Sequence, residues 1–218
     1  GYDNYARYSF EAVYGRDYTL QDAEGLCSDV KTRIVPLNND IWYMDVAQES
    51  YDSLDLVEES SAQDILAGVG RAVGSVNPEL GEIFRYMQDN ELYDIQSGED
   101  GQDRMDNNYT VGLPSYGDAF IFINRNHTFT DYQSLIHEFG HFSSYYYNSV
   151  PELFQGYSVD VCEVQSQGLE MLVNQYAGDM FGEGAEAFEF ETVTDMLYVI
   201  IMSCMLQEFE EAVYMDPD

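Results

Sequence analysis

Basic residues are scarce in this sequence, and lysine is almost absent. Eight Lys and Arg residues stand against 41 Asp and Glu residues in a chain of 218, which gives a formal net charge of -33, and Lys31 is the single lysine. A field of this sign repels phosphate backbones and anionic lipid surfaces, and it concentrates cations and basic peptides. We therefore expect neither nucleic acid nor a membrane as a partner. A salt-rich habitat would also favour such acidity.

Cysteine is sparse as well. Cys27, Cys162 and Cys204 are too few and too scattered for a disulfide framework, and no CxxC pair occurs. The first ten residues lack the basic and apolar segments of a signal peptide. The longest apolar run, at residues 196–206, is shorter than a bilayer requires. These absences predict a reduced, cytoplasmic protein.

Histidine occurs only three times, yet His137 and His141 lie four residues apart in the segment HEFGH, which has the form HExxH. On an α-helix this spacing lets both imidazoles reach one ion from the same face. Glu138 is rotated by about 100° and would stand beside the open position of the metal. The motif thus predicts a Zn²⁺ site in which Glu138 is a general base and not a ligand. His127 is interpreted as ordinary surface.

The residues around the motif favour a helix from Thr130 to Asn148. Thr130 followed by Gln133 has the pattern of a capping box. Gly140 weakens the helix but can allow close packing. The apolar stripe of this helix consists of Leu135, Ile136, Phe139 and Phe142.

Elsewhere the spacing of apolar residues predicts further helices. They are expected at residues 3–14, 19–32, 41–51, 158–176 and 188–214, and two more begin at Ser61 and at Asn77-Pro78. Pro36 is expected to interrupt the chain, and residues 97–108 to form a polar loop. The last helix is expected to bury Val193, Met196, Leu197, Ile200, Ile201 and Cys204.

One hairpin stands out among the helices. Residues 109–113 and 119–123 are rich in β-formers and flank a turn sequence. Because the hairpin leads into the HExxH helix, its edge can lie along the metal cleft and bind an extended peptide by strand addition. A small hairpin used only for packing fits the residues equally well. The candidate substrate contacts are Tyr116, Gly117, Ala119 and Phe120.

A catalytic zinc usually has three protein ligands and one open position. Glu163, Gln167 and Glu170 share one face of the helix predicted at residues 158–176. Glu163 is the best candidate for the third ligand. In so acidic a chain, a glutamate on a solvated helix face is the alternative interpretation.

Two segments, HEFGH at residues 137–141 and EVQSQGLE at residues 163–170, together resemble the M3 family of zinc peptidases, and most closely its oligoendopeptidase F branch. Weaker matches at residues 1–5, 17–19, 34–36 and 208–217 occur in the family's order. The resemblance implies a mainly α, zincin-like catalytic domain with a small β-hairpin or sheet beside the HExxH helix. That domain would comprise residues 1–218 as a single catalytic core.

The resemblance also implies an activity, zinc-dependent hydrolysis of peptide bonds in short peptides. Zinc would be bound by His137, His141 and Glu163, and Glu138 would take the proton from the zinc-bound water and pass it to the leaving amine. The implied groups that orient the ligands are Ser166, Gln167 and Glu170.

The sequence departs from the family pattern in two respects. Ser144 stands where members often carry a further histidine. Members are also much longer at both ends, and their later Tyr and His residues, which stabilise the oxyanion, have no counterpart here. A truncated or reduced relative, used as a binding or structural module, is therefore the alternative. An aminopeptidase of another HExxH family is disfavoured because the chain has no GxMEN motif.

Overall fold

A computed structural model describes residues 1–44, 54, 60–98, 104–148 and 159–216. Helices dominate these residues and one three-stranded sheet accompanies them, so the predicted mainly α class with a small sheet is confirmed. The chain divides into two compact units. Unit 1 comprises Gly1–Gln48, Tyr157–Val161 and Val193–Asp218, and unit 2 comprises Glu49–Gly156 and Cys162–Thr192. The interpretation of residues 1–218 as a single core stays a prediction.

The main helices of the described residues are numbered in chain order. They are α1 (Tyr5–Tyr8), α2 (Leu20–Asp29), α3 (Val35–Trp42), α4 (Ala62–Val76), α5 (Pro78–Asp89), α6 (Thr130–Tyr147), α7 (Val164–Asn174), α8 (Gly178–Phe181) and α9 (Ala185–Met215). The strands are β1 (Tyr93–Gln96), β2 (Tyr109–Leu113) and β3 (Asp118–Asn124).

Pro36 does not interrupt the chain, contrary to the expectation from sequence. A π-helical segment, Val30–Ile34, follows α2 directly, and α3 follows that segment with Pro36 in its first turn. Proline has no N–H to donate, and its ring clashes with a carbonyl one turn earlier in a regular helix. The first-turn position and the wider π-helical turn before it accommodate both features. Of the helix predicted at residues 41–51, residues 45–51 lie outside the described residues.

The last helix, α9, is only partly covered. Cys204 is buried against Cys27 and Val30. Val193 and Ile200, predicted to be buried, are 41% and 39% exposed, and the other predicted positions are half-buried. Apolar residues are distributed around the whole helix, so a covering on one side leaves many of them exposed. None of the described helices combines the length and the apolar character needed to cross a membrane.

Helices α4 and α5 begin where the sequence predicts. Ser61 and Asp64 form a capping box at the start of α4, and the side chain of Asn77 caps α5 with Pro78 in its first turn. These caps satisfy N–H groups that have no partner within the helix. The predicted apolar stripes are buried at Ile65, Leu66, Val69, Val73, Ile83, Phe84 and Met87.

Replacing Ser61 with Ala is expected to destabilise the fold by about 1 kcal/mol. The N–H of Asp64 would lose its acceptor, and the Asp64 carboxylate would lose a hydroxyl at 2.6 Å. Thermal unfolding measures the effect, and Ser61→Thr, which keeps the hydroxyl, is the matched control. An Ala variant that unfolds at the same temperature as the control would refute the importance of this cap.

The sheet has the strand order β1-β3-β2. The predicted hairpin is confirmed as the antiparallel pair of β2 and β3, in which Tyr109 lies opposite Phe122. Strand β1 was not predicted; it pairs in parallel with β3, with Tyr93 opposite Ile121. A strand of four residues is too short to show a clear alternation in sequence, and its parallel partner is distant in the chain.

Helix α6 packs its apolar stripe into the core of unit 2 as predicted, and Phe139 makes an edge contact with Phe84 at 4.9 Å between ring centroids. The predicted capping box of Thr130 and Gln133 is wrong, because the helix has no side-chain cap at its first position. Asp131 instead accepts hydrogen bonds from the backbone N–H groups of Asn126 and His127.

This arrangement follows from the turn that precedes α6. His127 has a φ of +62°, which turns the incoming backbone so that two N–H groups face Asp131. The Asp131 carboxylate is also paired with Arg125 at 3.2 Å. His127 is half-buried in this turn, and it is therefore more than the ordinary surface residue expected from sequence.

Two other predicted segments are only partly described. Residues 99–103 of the predicted loop at 97–108 lie outside the described residues, as does the predicted start of a helix at residue 158. The described part of that helix consists of a 3₁₀ turn, Val159–Val161, and then α7.

Candidate metal centre

Two helices bring three potential metal ligands to one point. His137 and His141 lie on α6, and Glu163 is the residue immediately before α7. The Nε2 atoms of the two histidines are 3.2 Å apart. Glu163 Oε2 lies 3.1 Å from Nε2 of His137 and 3.3 Å from Nε2 of His141. The three atoms therefore form a nearly equilateral triangle.

The size of this triangle matches a tetrahedral ion. Atoms bound at about 2.0–2.1 Å to a tetrahedral zinc are separated by roughly 3.3 Å. One ion can thus be bound by all three atoms, and among the described residues no fourth His, Cys, Asp or Glu belongs to the group, so a position is left for water. The side chains of His137, His141 and Glu163 are 28%, 18% and 47% exposed, which gives water and a substrate access to that position. The spacing and the chemistry of His137, His141 and Glu163 therefore suit the zinc ion that the sequence predicts.

Gly140 permits the close approach of α7 to α6. A Cβ atom at this position would lie 2.5 Å from Cα of Ser166 and 2.9 Å from the backbone oxygen of Gln165. No larger residue fits between the two backbones at this separation. The sequence expectation that Gly140 allows close packing is confirmed, and the packing places Glu163 beside the two histidines.

A Gly140→Ala variant is expected to lose about 3 kcal/mol of stability, because the added methyl group meets backbone atoms that cannot rotate away. Zinc binding should weaken as well, since the start of α7 must move outward. Thermal unfolding and chelator competition measure the two effects. The matched control is Gly168→Ala on α7, where a Cβ would meet nothing within 4 Å. Equal stability and zinc affinity in the two variants would contradict this role of Gly140.

Glu170 and Ser166 contact the ligands directly. Glu170 Oε1 lies 2.7 Å from Nδ1 of His137. An imidazole that binds an ion through Nε2 carries its proton on Nδ1, so Glu170 can accept that hydrogen bond and fix the ring. Ser166 is fully buried, and its hydroxyl donates to Glu163 Oε2 at 2.7 Å. Both contacts orient ligand atoms toward the centre of the triangle.

Gln165, which the sequence analysis missed, lies where Gln167 was expected. Gln165 Nε2 is 3.4 Å from Nδ1 of His141 and donates to the carbonyl of Cys162. For the Gln167 side chain, the described part of the chain shows no hydrogen bond. Of the predicted helix face, Glu163 and Glu170 thus lie at the centre as expected. The regular helix begins at Val164 and not near residue 158.

Glu138 is buried and its carboxylate is held in place. Thr110 on β2 places its hydroxyl 2.7 Å from Glu138 Oε2 and 2.9 Å from the backbone oxygen of the same residue. Burial raises the pKa of Glu138, while the Thr110 hydrogen bond and the two nearby imidazoles act in the opposite direction. A carboxyl with a raised pKa is a more effective proton acceptor and donor near neutral pH.

The pKa of Glu163 is shifted the other way. Burial acts to raise it, but the hydrogen bond from Ser166 and the charges of the imidazoles outweigh burial, so the pKa is lowered. Burial also acts to lower the pKa of His137, but the neighbouring carboxylates of Glu170, Glu138 and Glu163 together outweigh it and the pKa is raised. Glu163 is thus kept as a carboxylate, which is the form that binds a metal.

The four candidate substrate contacts lie on the hairpin but not on its edge strand. Tyr116 and Gly117 are in the exposed turn. Ala119 and Phe120 belong to the central strand β3, where they pair with Gly112 and Val111 of β2. The edge strands of the described sheet are β1 and β2, and of these β2 contacts α6 through the hydrogen bond of Thr110 with Glu138. Strand addition would therefore use β2.

The tyrosines that follow the motif have contacts of their own. The Tyr145 ring lies against Gly112, where a Cβ would come within 2.7 Å of it. Tyr146 makes an edge contact with Tyr86 at 5.2 Å. Burial and the neighbouring Glu79 raise the pKa of the Tyr147 phenol. Each of these three side chains thus lies beside a residue other than His137, His141 and Glu163.

Three solved peptidase structures resemble the chain over its whole length. A protein assigned as an oligoendopeptidase F is 28% identical, with a TM-score of 0.79, and the match covers 100% of this chain and 40% of that one. PZ peptidase A bound to an inhibitor is 24% identical, with a TM-score of 0.76 and coverages of 100% and 41%. An oligoendopeptidase F assignment from Bacillus anthracis str. Ames is 21% identical, with a TM-score of 0.77 and coverages of 100% and 42%.

No protein-family profile and no curated protein sequence matches the chain. The resemblance to the oligoendopeptidase F group predicted from the motifs is nevertheless confirmed by the structural matches. The chain spans about 40% of the length of those proteins.

Proposed function

We propose that this chain, which shares its fold with the oligoendopeptidase F peptidases, is a zinc-dependent endopeptidase core that acts on short peptides. One observation carries the proposal: Nε2 of His137, Nε2 of His141 and Oε2 of Glu163 lie 3.1–3.3 Å apart, next to the buried carboxyl of Glu138. Two imidazoles and one carboxylate with an open fourth position are the ligand set of a catalytic zinc.

The protein groups supply orientation and proton transfer. When bound, zinc supplies a Lewis acid that polarises the scissile carbonyl and activates water. Glu138 takes a proton from the attacking water and passes it to the leaving amine. Glu170 fixes the ring of His137, and Ser166 fixes the carboxylate of Glu163. Burial of Glu138, which raises its pKa, suits both proton transfers.

The edge strand β2 is the proposed binding surface for the peptide. Its backbone pairs with β3 on one side, and its residue Thr110 contacts Glu138. A peptide added as a further strand would therefore run past the general base. The strongly negative chain should favour peptides that carry positive charge.

A second candidate function is that of a zinc-binding module with little catalysis. The chain spans only about 40% of the peptidases that it resembles. The tyrosines at residues 145–147 contact groups other than the metal ligands. One oxyanion donor is worth roughly 100- to 1,000-fold in rate, so a chain in which these tyrosines do not serve that role is expected to turn over slowly.

A quenched fluorescent library of short peptides separates the two functions. We expect slow turnover that a chelator stops and that stoichiometric zinc restores. Turnover that persists in the chelator would contradict a metal-dependent peptidase. Zinc binding without any turnover would favour the binding module.

A cytoplasmic location also belongs to this proposal. It is supported by the cysteines, all three of which are thiols and not disulfides. Burial raises the pKa of Cys27 to about 11, so this thiol is protonated and unreactive at neutral pH.

A further inference from the structure

Thr110 makes an unusual pair of contacts with a single residue. Its hydroxyl oxygen lies 2.7 Å from the carboxylate oxygen Oε2 of Glu138 and 2.9 Å from the backbone oxygen of Glu138. The two residues are 28 positions apart in the sequence. The hydroxyl thus lies within hydrogen-bonding distance of both the carboxylate and the backbone carbonyl of Glu138.

This link restricts the carboxylate. A glutamate has several rotatable bonds, and on an exposed helix it samples many rotamers. Here the single hydrogen of the Thr110 hydroxyl has Oε2 of Glu138 as its nearer acceptor, at 2.7 Å against 2.9 Å for the backbone oxygen, so this contact restrains the end of the side chain. With Oε2 held by Thr110, the other carboxylate oxygen is the one left to accept a proton from water.

The position of the hydroxyl is fixed by the sheet and not by α6. Thr110 lies opposite Ile121 in the pairing of β2 with β3. A threonine side chain is stiff because it branches at Cβ. The same strand is packed against α6 through Gly112, which lies under the ring of Tyr145. Thr110 is therefore a rigid point to which the more flexible Glu138 is attached.

We infer that Thr110 is a positioning residue that holds the general base, and that β2 thereby couples the alignment of the peptide to the orientation of Glu138. This inference rests on the proposed zinc-peptidase function. The hydrogen bonds of the Thr110 hydroxyl are to Glu138 and not to His137, His141 or Glu163. Removing this hydroxyl should therefore leave zinc binding intact. Replacing a residue with only a structural role would change zinc binding and the orientation of Glu138 together.

The test uses two inhibitors of the zinc-loaded chain. A peptide hydroxamate binds zinc and can also donate a hydrogen bond to the carboxylate of Glu138, whereas a mercapto peptide binds through its sulfur alone. For Thr110→Val we expect unchanged zinc content, unchanged affinity for the mercapto peptide and about tenfold weaker affinity for the hydroxamate. Thr110→Ser, which keeps the hydroxyl, should retain the affinity of the wild type for both compounds.

Two further variants complete the comparison. Thr110→Ala removes the hydroxyl with less bulk and replaces the valine variant if that protein does not fold. Thr192→Val removes a buried threonine hydroxyl away from the ligands and should change neither affinity. Equal hydroxamate affinity in wild type and Thr110→Val, or a parallel loss for both inhibitors, would overturn the inference. If the wild-type chain bound no zinc, the proposed function itself would fail.

Discussion

A Glu138→Gln variant is expected to hydrolyse peptides roughly 100- to 10,000-fold more slowly than the wild-type chain. Glutamine has nearly the same shape and can still accept a hydrogen bond from Thr110, but it cannot take a proton from water. The carboxylate is not one of the three atoms at 3.1–3.3 Å that form the candidate metal site. Zinc content should therefore remain that of the wild type.

Single-turnover assays with excess enzyme measure this effect, because the wild-type rate is itself expected to be low. The matched control is Glu82→Gln, which changes an exposed glutamate on α5 in the same unit. Its rate should equal that of the wild type. Full activity in Glu138→Gln would show that another group takes the proton.

The parts of the fold that could be predicted depend on local patterns. The HExxH helix was found because two histidines four apart and an apolar stripe both require an α-helix. The start of α4 was found because Ser61 and Asp64 satisfy each other's backbone within three residues. Such signals lie in a short stretch of sequence, and the structure confirms them.

The residues around the centre were harder to predict, because their contacts join distant segments. Gln167 was predicted to orient a ligand because it shares a helix face with Glu163 and Glu170. In the structure it is Gln165 that lies near His141, with Nε2 at 3.4 Å from Nδ1 of His141, and this contact between two helices has no signal in the spacing of either helix. Thr110 gave no signal at all, since a threonine in a hairpin usually has only a β-forming role.

The exposed apolar residues of α9 show a different limit of prediction from sequence. A helix that is apolar on all sides is expected to be buried, and the sequence placed Val193 and Ile200 in a core. The described residues cover only part of it, and both side chains stay about 40% exposed. Periodicity shows which residues are apolar, but it does not show whether the chain supplies a surface to cover them.

The largest effect on metal binding is expected from Glu163→Gln. The variant replaces a charged ligand oxygen with a neutral amide, which is a poor ligand for zinc. It also leaves the buried Ser166 hydroxyl with a weaker acceptor than the carboxylate at 2.7 Å. We expect roughly a 100-fold or greater loss of zinc affinity.

Glu170→Gln provides a graded comparison. Glu170 contacts Nδ1 of His137 and is not itself one of the three ligand atoms. Loss of such an orienting group typically costs about 10- to 100-fold in metal affinity. Its effect should be smaller than that of Glu163→Gln and larger than that of the surface control Glu82→Gln.

The most direct test is therefore the zinc affinity of four purified proteins, measured by competition with a chromophoric chelator. The wild-type chain should bind about one zinc ion, and affinity should fall in the order wild type and Glu82→Gln, then Glu170→Gln, then Glu163→Gln. A Glu163→Gln variant that binds zinc as tightly as the wild type would show that His137, His141 and Glu163 do not form the metal centre.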